Sequence, residues 1–236
     1  VEINLKKFSP QLFKNKKIIA FAGKKQSGKD SCKTFLKANS EELFNCNKAS
    51  LFDIPLALGI KQFAIDYFGI DERLVYGTDE QKNSLTNLLF SSKYIGEHLA
   101  YHHPTVREVL QWIGEDAFLH IKADIWLEYW YNYAKEEQHW YNGIIISDIR
   151  KPEQVNFIKH LGGICIRLTR NIYKDKPDTH ISETALDDYD FGDYVVDNEV
   201  MSPKEQYEAV VDLLSKEGLC ENCDRTKLNF NVVSDT

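Results

Sequence analysis

The stretch Lys17-Ile18-Ile19-Ala20-Phe21-Ala22 runs straight into Gly23-Lys24-Lys25-Gln26-Ser27-Gly28-Lys29-Asp30. An apolar strand that ends in G-x-x-x-x-G-K and opens a helix has the pattern of a phosphate cradle. The glycines let the backbone turn tightly and aim successive N–H groups inward, where a Cβ would obstruct an anion. The helix that follows presents its unpaired N–H groups and positive dipole end to the same anion. Lys29 then serves as a point charge for the β- and γ-phosphates of a nucleoside triphosphate. Ser or Thr usually follows that lysine and meets Mg²⁺; here Asp30 and then Ser31 stand there. A carboxylate is a hard-oxygen ligand, so Mg²⁺ at Asp30, directly or through water, stays an expectation. The candidate ATP-binding set is Gly23, Lys25, Ser27, Gly28, Lys29, Asp30 and Ser31. The plainer alternative is a Gly-Lys surface turn that starts a helix, with Lys24 and Lys25 as solvated loop charges.

The 236 residues suffice for one sizeable core. A formal net charge of −7 leaves no long basic stretch for polymeric nucleic acid. It does not forbid a phosphorylated metabolite, which local dipoles and a few cations can hold. No apolar run approaches the ~20 residues of a membrane span. Val1–Lys7 lacks a signal-peptide core, so a cytoplasmic protein with no membrane partner is expected. Five scattered cysteines fit a reducing compartment. Cys32, Cys46 and Cys165 read as small buried hydrophobes. Cys220 and Cys223 form a C-x-x-C without a second ligand pair, so a polar tail is expected there rather than zinc.

Strand and helix patterns alternate outward from the opening motif. Leu51-Phe52 predicts a strand ending at Asp53, and Leu56, Ile60, Phe63, Ala64, Tyr67 and Phe68 predict a helix closed by Gly69. Residues 70–103 are less regular, a helical insertion or a substrate-side flap. Thr105 and Glu108 form a capping pair for the next helix. An aromatic helix carries Trp126, Tyr129, Trp130 and Tyr133, which read as core rather than as a base-stacking platform. Gly143–Ser147 is a continuous apolar run expected of a parallel strand covered on both faces. A helix from Pro152, a strand at 164–168, a short strand at 194–196 and a helix from Pro203 complete a doubly wound α/β domain with helical insertions.

In open parallel sheets ligands sit at the carboxyl ends of the strands. Three such ends are polar here: the cradle, Asp53, and Ser147-Asp148-Ile149-Arg150. Asp148 can hold Mg²⁺ through water or accept from substrate, and Arg150 offers a bidentate fork for a second phosphate. The alternative has Asp148 capping the next helix and Arg150 pairing with Glu153. Arg107 and Gln111, four apart, share a helix face. They could clamp a phosphate and read a base edge, or simply form a solvated face. Arg167 and Arg170 flank the strand at 164–168, and cations on a closing segment suit phosphoryl transfer. His180-Ile181-Ser182-Glu183 is too short to interpret by chemistry alone.

Taken together these motifs resemble the deoxynucleoside monophosphate kinases of large tailed bacteriophages, nearly from end to end. The resemblance is carried by G-x-x-x-S-G-K-D at Gly23–Asp30, Tyr76-Gly77-Thr78-Asp79 and Arg107-x-x-x-Gln111-x-x-Gly114-x-Asp116. It continues through Asp148-Ile149-Arg150, Gly162-Gly163, Thr179–Glu183 and Asp197-Asn198. It implies a P-loop NTPase fold of the NMP-kinase type, a three-layer α/β sandwich with a parallel sheet and helical insertions. It implies a single kinase domain: core about 16–60 and 104–217, an NMP-binding insert about 53–103, a lid about 170–185, and a tail over 218–236. The implied reaction moves the ATP γ-phosphate to a deoxynucleoside monophosphate with Mg²⁺, giving the diphosphate for phage DNA synthesis in the host cytoplasm. The implied catalytic residues are Lys29, Asp148, Arg150 and Arg170, with Asp30 and Asp148 toward the metal. The implied monophosphate side holds Asp53, Arg107, Gln111, Arg150, His180 and Glu183. The chain departs from a Pro-x-Lys expected after the second strand: Asp53-Ile54-Pro55-Leu56-Ala57 carries no lysine, and Lys61 follows one turn later. A homodimer, a dephospho-CoA kinase-like acceptor and an ATP-dependent regulator without kinase activity remain alternatives at this stage.

Overall fold

Six residues, Lys17–Ala22, form strand β1, buried from Ile18 onward. The chain continues through α1 (Lys29–Ala38), α2 (Ser40–Phe44), β2 (Leu51–Asp53), α3 (Leu58–Phe68), α4 (Glu72–Val75), α5 (Asp79–Lys82) and β3 (Phe90–Ser91). Then come β4 (Tyr101–His102), α6 (Val106–Gln111), α7 (Ile125–Glu136), β5 (Gly143–Ile149), α8 (Pro152–His160), β6 (Ile164–Leu168), β7 (Val195–Val196) and α9 (Pro203–Lys216). This computed structural model describes residues 3–45, 51–91, 101–172, 184–220 and 223–232. Within them the chain divides into two compact units, Ala57–Trp130 and Glu2–Leu56 with Tyr131–Asp235.

The larger unit is built on a five-stranded sheet in the order β2-β5-β1-β6-β7, every pairing parallel. A parallel strand buried on both faces needs an unbroken apolar run, and Ile144, Ile145 and Ile146 are all fully buried. Alternate β1 side chains serve opposite faces. Ile19 and Phe21 join Phe35 and Leu36 of α1 and Val210 and Leu214 of α9 in one core cluster. On the other face Gly163 lies so close to Ile18 and Ile158 of α8 that a Cβ there would come within 2.8 Å of Ile18. Helices therefore flank the sheet on both sides, the fold expected of a P-loop kinase of the NMP type. The chain leaves β1 toward β2 and leaves β5 toward β6, which puts the switch point between β1 and β5, where ligands bind in such sheets.

The smaller unit packs α3 and α6 around Ala64, Val75, Val106, Val109 and Ile113. Its helix ends follow the sequence signals. Gly69 closes α3 at φ 65°. Thr105 and Glu108 form a reciprocal capping box on α6, with Glu108 Oε2 accepting from Thr105 N at 2.7 Å. The irregular stretch after Gly69 resolves into α4, α5 and the antiparallel pair β3–β4.

Two expectations need correction. The aromatic helix is core only in part: Trp130 is fully buried, whereas Tyr129 and Tyr133 are exposed. The segment after Gly218 is not a polar tail. Cys220 and Leu228 are buried in the main core cluster, with Leu219, Cys223 and Phe230 packed against it. The Phe230 ring stacks on Phe35 of α1 at 5.5 Å, because these scattered apolar residues find uncovered core surface beside α1 and α9. Cys46 lies outside the described residues.

Asn39, buried at the end of α1, holds this segment in place. Its Nδ2 donates to the Phe35 and Asn229 carbonyls (2.9 and 3.1 Å) and its Oδ1 accepts from Asn229 N at 2.6 Å. Losing these bonds strands buried backbone groups, which costs about 1–3 kcal/mol. Asn39→Ala is therefore expected to lower the urea-unfolding free energy by that amount, and an unchanged midpoint would contradict the packed segment.

Candidate active site

The loop between β1 and α1 has the backbone its glycines allow. Gly23 adopts φ +151° and Gly28 φ +100°, conformations that an L side chain rarely takes. A Cβ at Gly23 would meet Ser27 Oγ at 2.6 Å and the Leu168 carbonyl at 2.7 Å. Within this turn Lys29 Nζ donates to the Gly23 and Lys24 carbonyls at 2.8 and 2.6 Å. Burial, then the nearby Arg150 and Arg167 guanidiniums, bring its pKa down to about 8 against the pull of Asp30 and Asp148. Lys29, Arg150 and Arg167 gathered this closely suit a polyanion.

A bulge re-aims the end of β5. Ala20 pairs with Ile146 but Ala22 pairs with Ile149, so β5 carries one extra residue across Ser147-Asp148. Ser147 Oγ then donates to Asp30 Oδ1 at 2.8 Å, and Asp148 Oδ1 accepts from Leu56 N at 2.9 Å. Asp148 is thus bound to the loop after β2 rather than capping α8; Gln154 accepts from Arg150 N and Lys151 N at that helix start.

Lys33, one turn into α1, joins the carboxylate that ends β2 to the one in the first turn of α1. Its Nζ is 2.9 Å from Asp53 Oδ2 and 3.3 Å from Asp30 Oδ1. Burial opposes the charge on Lys33, but Asp53 and then Asp30 more than reverse it and raise its pKa. Burial likewise opposes ionisation of Asp30, yet Lys33, the Ser147 hydroxyl and Lys29 hold its carboxyl below the usual range.

Behind the cradle stands a buried amide pair. Asn198 and Gln206 are almost wholly buried, as is Ser27. Asn198 Nδ2 donates to the Ser27 carbonyl at 2.7 Å and to Gln206 Oε1 at 2.6 Å. Gln206 Nε2 donates to the Gly28 carbonyl at 3.2 Å and to Cys32 Sγ at 3.0 Å. Asn198 also fixes Arg170: its Oδ1 accepts from Arg170 N at 2.8 Å, and its carbonyl accepts from Arg170 Nε at 3.1 Å. Arg170 Nη2 donates to the Met201 carbonyl at 2.5 Å. Arg167 donates from Nη1 to the Leu186 carbonyl at 3.0 Å and stands over the Phe191 ring.

The remaining candidates fall as follows. Lys24 pairs with Asp187 at 2.6 Å rather than standing solvated, and Lys25 and Ser31 are half-buried. In the smaller unit Arg107 Nη2 meets Asp79 Oδ1 at 2.5 Å and its Nε donates to Asn83 Oδ1 at 3.0 Å. The motif around Thr78-Asp79 thus serves to hold Arg107, and half-buried Gln111 lies one helical turn on. His180 and Glu183 lie outside the described residues, as does most of the 170–185 segment. Sequence reasoning missed Lys33 and Gln206. Lys33 carried a readable signal, its i,i+3 spacing from Asp30, whereas Gln206 sits in an ordinary helix pattern.

Comparison with known proteins settles the family. The sequence model of the deoxynucleotide monophosphate kinases matches residues 57–204. The chain belongs to this kinase family. The matched span contains Arg107, Gln111, Asp148, Arg150 and Arg170, whereas the cradle precedes it and stands on its own geometry. A protein of Acanthamoeba polyphaga mimivirus named "Putative deoxynucleotide monophosphate kinase" is 26% identical over 180 residues, 72% of this chain and 81% of that protein. Among the described residues no helix is long and apolar enough to cross a membrane.

The amide pair gives this kinase a checkable dependence. Asn198→Leu keeps the branched shape but strands the Ser27 carbonyl and Gln206 Oε1, so a loss of at least about 1–3 kcal/mol is expected in chemical denaturation. A variant as stable as the parent would show that the pair does not support the loop.

Proposed function

We propose that this kinase transfers the γ-phosphoryl group of ATP to a deoxynucleoside 5′-monophosphate, forming ADP and the deoxynucleoside diphosphate. The observation that carries the donor half is the glycine turn with Lys29 bonded inside it; family membership supports the acceptor half. In this reading the N–H groups of the cradle and Lys29 take the β- and γ-phosphates. Arg150 adds charge where the transferring group gathers it, and Arg170 borders the donor side. Such reactions need little covalent help: alignment and neutralisation of charge provide the rate.

The donor set around Asp30 fits Mg²⁺. The Asp30 carboxylate and the Ser147 hydroxyl are hard oxygens in mutual contact, with Asp148 beside them in sequence, and Mg²⁺ at kinase sites takes few protein ligands beside phosphates and water. Bound there, Mg²⁺ would neutralise phosphate charge. For the acceptor, Arg107 is the principal phosphate ligand in this proposal. Asp79 and Asn83 hold its Nη2 and Nε, which leaves the Nη1 edge for an anion, and Gln111 offers paired donor and acceptor groups to a base. Asp53, His180 and Glu183 complete the proposed monophosphate side. A soluble, phage-type role in deoxynucleotide supply follows from the same reading.

Coupled ADP release over dAMP, dGMP, dCMP and dTMP tests the reaction directly. Stimulation by at least one of them is expected, and a rate indifferent to every monophosphate would overturn the proposal. Lys29→Ala and Arg150→Ala are expected to lower turnover on the order of 10³-fold or more while the fold persists. Arg107→Ala is expected instead to raise KM for the monophosphate about tenfold or more with KM for ATP little changed, since one lost charge-assisted contact is worth about that factor.

A further inference from the structure

The cradle is an anion site, yet two carboxylates stand at its edge. Asp30 opens α1 immediately after Lys29, and Asp53 ends β2, two strands away from β1 in the sheet. Left alone, this pair would repel a triphosphate. The same ammonium reaches both: Lys33 Nζ lies 2.9 Å from Asp53 and 3.3 Å from Asp30, and its side chain is only 21% exposed. Helical spacing explains how it gets there, since residues three apart share a face and Lys33 follows Asp30 by three. The Asp30 oxygen it approaches is the one that accepts from Ser147. The carboxylate is thus held from two sides. Partly buried charges interact several-fold more strongly than charges in bulk water, so the neutralisation is felt by a ligand in the neighbouring loop.

We propose that Lys33 is the internal counter-ion of the donor site: it cancels the Asp30–Asp53 charge so that ATP can enter the cradle, without itself binding phosphate. It is a positioning residue. This inference rests on the reading of the cradle as an ATP site. Asp30 and Asp53 keep 51% and 32% of their side chains open to water, which limits the pair's part in folding, so its larger effect is expected in ligand affinity.

The test measures binding of ATP to the full chain by equilibrium dialysis in EDTA, so that no divalent metal masks the carboxylates. Wild type, Lys33→Met, Lys33→Arg, Asp53→Asn and the Lys33→Met/Asp53→Asn double variant are compared, each with its melting temperature. Lys33→Met is expected to weaken ATP binding about tenfold or more, and less so at high salt, where screening shortens the range of repulsion. Lys33→Arg keeps the affinity, and Asp53→Asn binds at least as tightly as wild type. The double variant regains most of the loss, because removing a carboxylate substitutes for the missing cation.

Three results would overturn the proposal. Lys33→Met could bind like wild type. The double variant could stay as weak as the single one, which would make Lys33 a phosphate ligand. Lys33→Met could unfold without recovery in the double variant, which would make its role structural. Failure of wild type itself to bind ATP would instead remove the donor site, and this inference with it.

Discussion

Positive charge crowded at the end of a parallel sheet is the constraint from which the larger unit's site follows. Lys29 is drawn into a turn of its own backbone and half-buried, with two arginines near enough to lower its proton affinity. Such a group is tolerable only where carbonyl dipoles replace the lost hydration, and the carbonyls of Gly23 and Lys24 supply them. That demand explains the glycines. The chain must double back around an ammonium, and it does so through φ values that side chains resist.

A strained turn persists when the surroundings over-determine it. Here the support comes from late in the chain. Asn198, just beyond β7, and Gln206 on α9 bond the carbonyls of Ser27 and Gly28, while the Gln206 amide fills the space a Cβ on Gly28 would need. The same asparagine anchors Arg170 by main chain and side chain. A single buried polar cluster therefore ties together the loop, one arginine and the last helix. Preorganisation of this kind means that little ordering is left for the ligand to drive.

Arg107 shows the same logic in the smaller unit. A guanidinium is planar and rigid, and Asp79 and Asn83 hold two of its nitrogens in place. The acidic partner comes from the short helix that the Tyr76–Asp79 motif opens. Part of a stretch that reads in sequence as irregular is in the fold a bracket for a cation 28 residues away.

The local signals were legible without a fold. Apolar runs located the strands of the larger unit, Thr105 with Glu108 and Gly69 marked helix ends, and the glycine spacing located the cradle. Each of these is a matter of short-range sterics or hydrogen bonding, so neighbours in sequence suffice to decide it. The segment after Gly218 was misread because its apolar residues are sparse and irregular; no periodicity betrays a strap that follows the contour of two helices. Nor could spacing foresee the extra residue in β5, since a bulge is defined only against a partner strand.

The sequence by itself therefore determined that the chain is a parallel α/β protein with a glycine turn and a lysine after its first strand. Only tertiary structure decided which charges stand together there: Lys33 with Asp30 and Asp53, Ser147 with Asp30, Asn198 and Gln206 with the loop. Electrostatic and hydrogen-bonded partnerships depend on distances of a few ångströms between strand ends far apart in the chain, and those distances exist only once the sheet has formed.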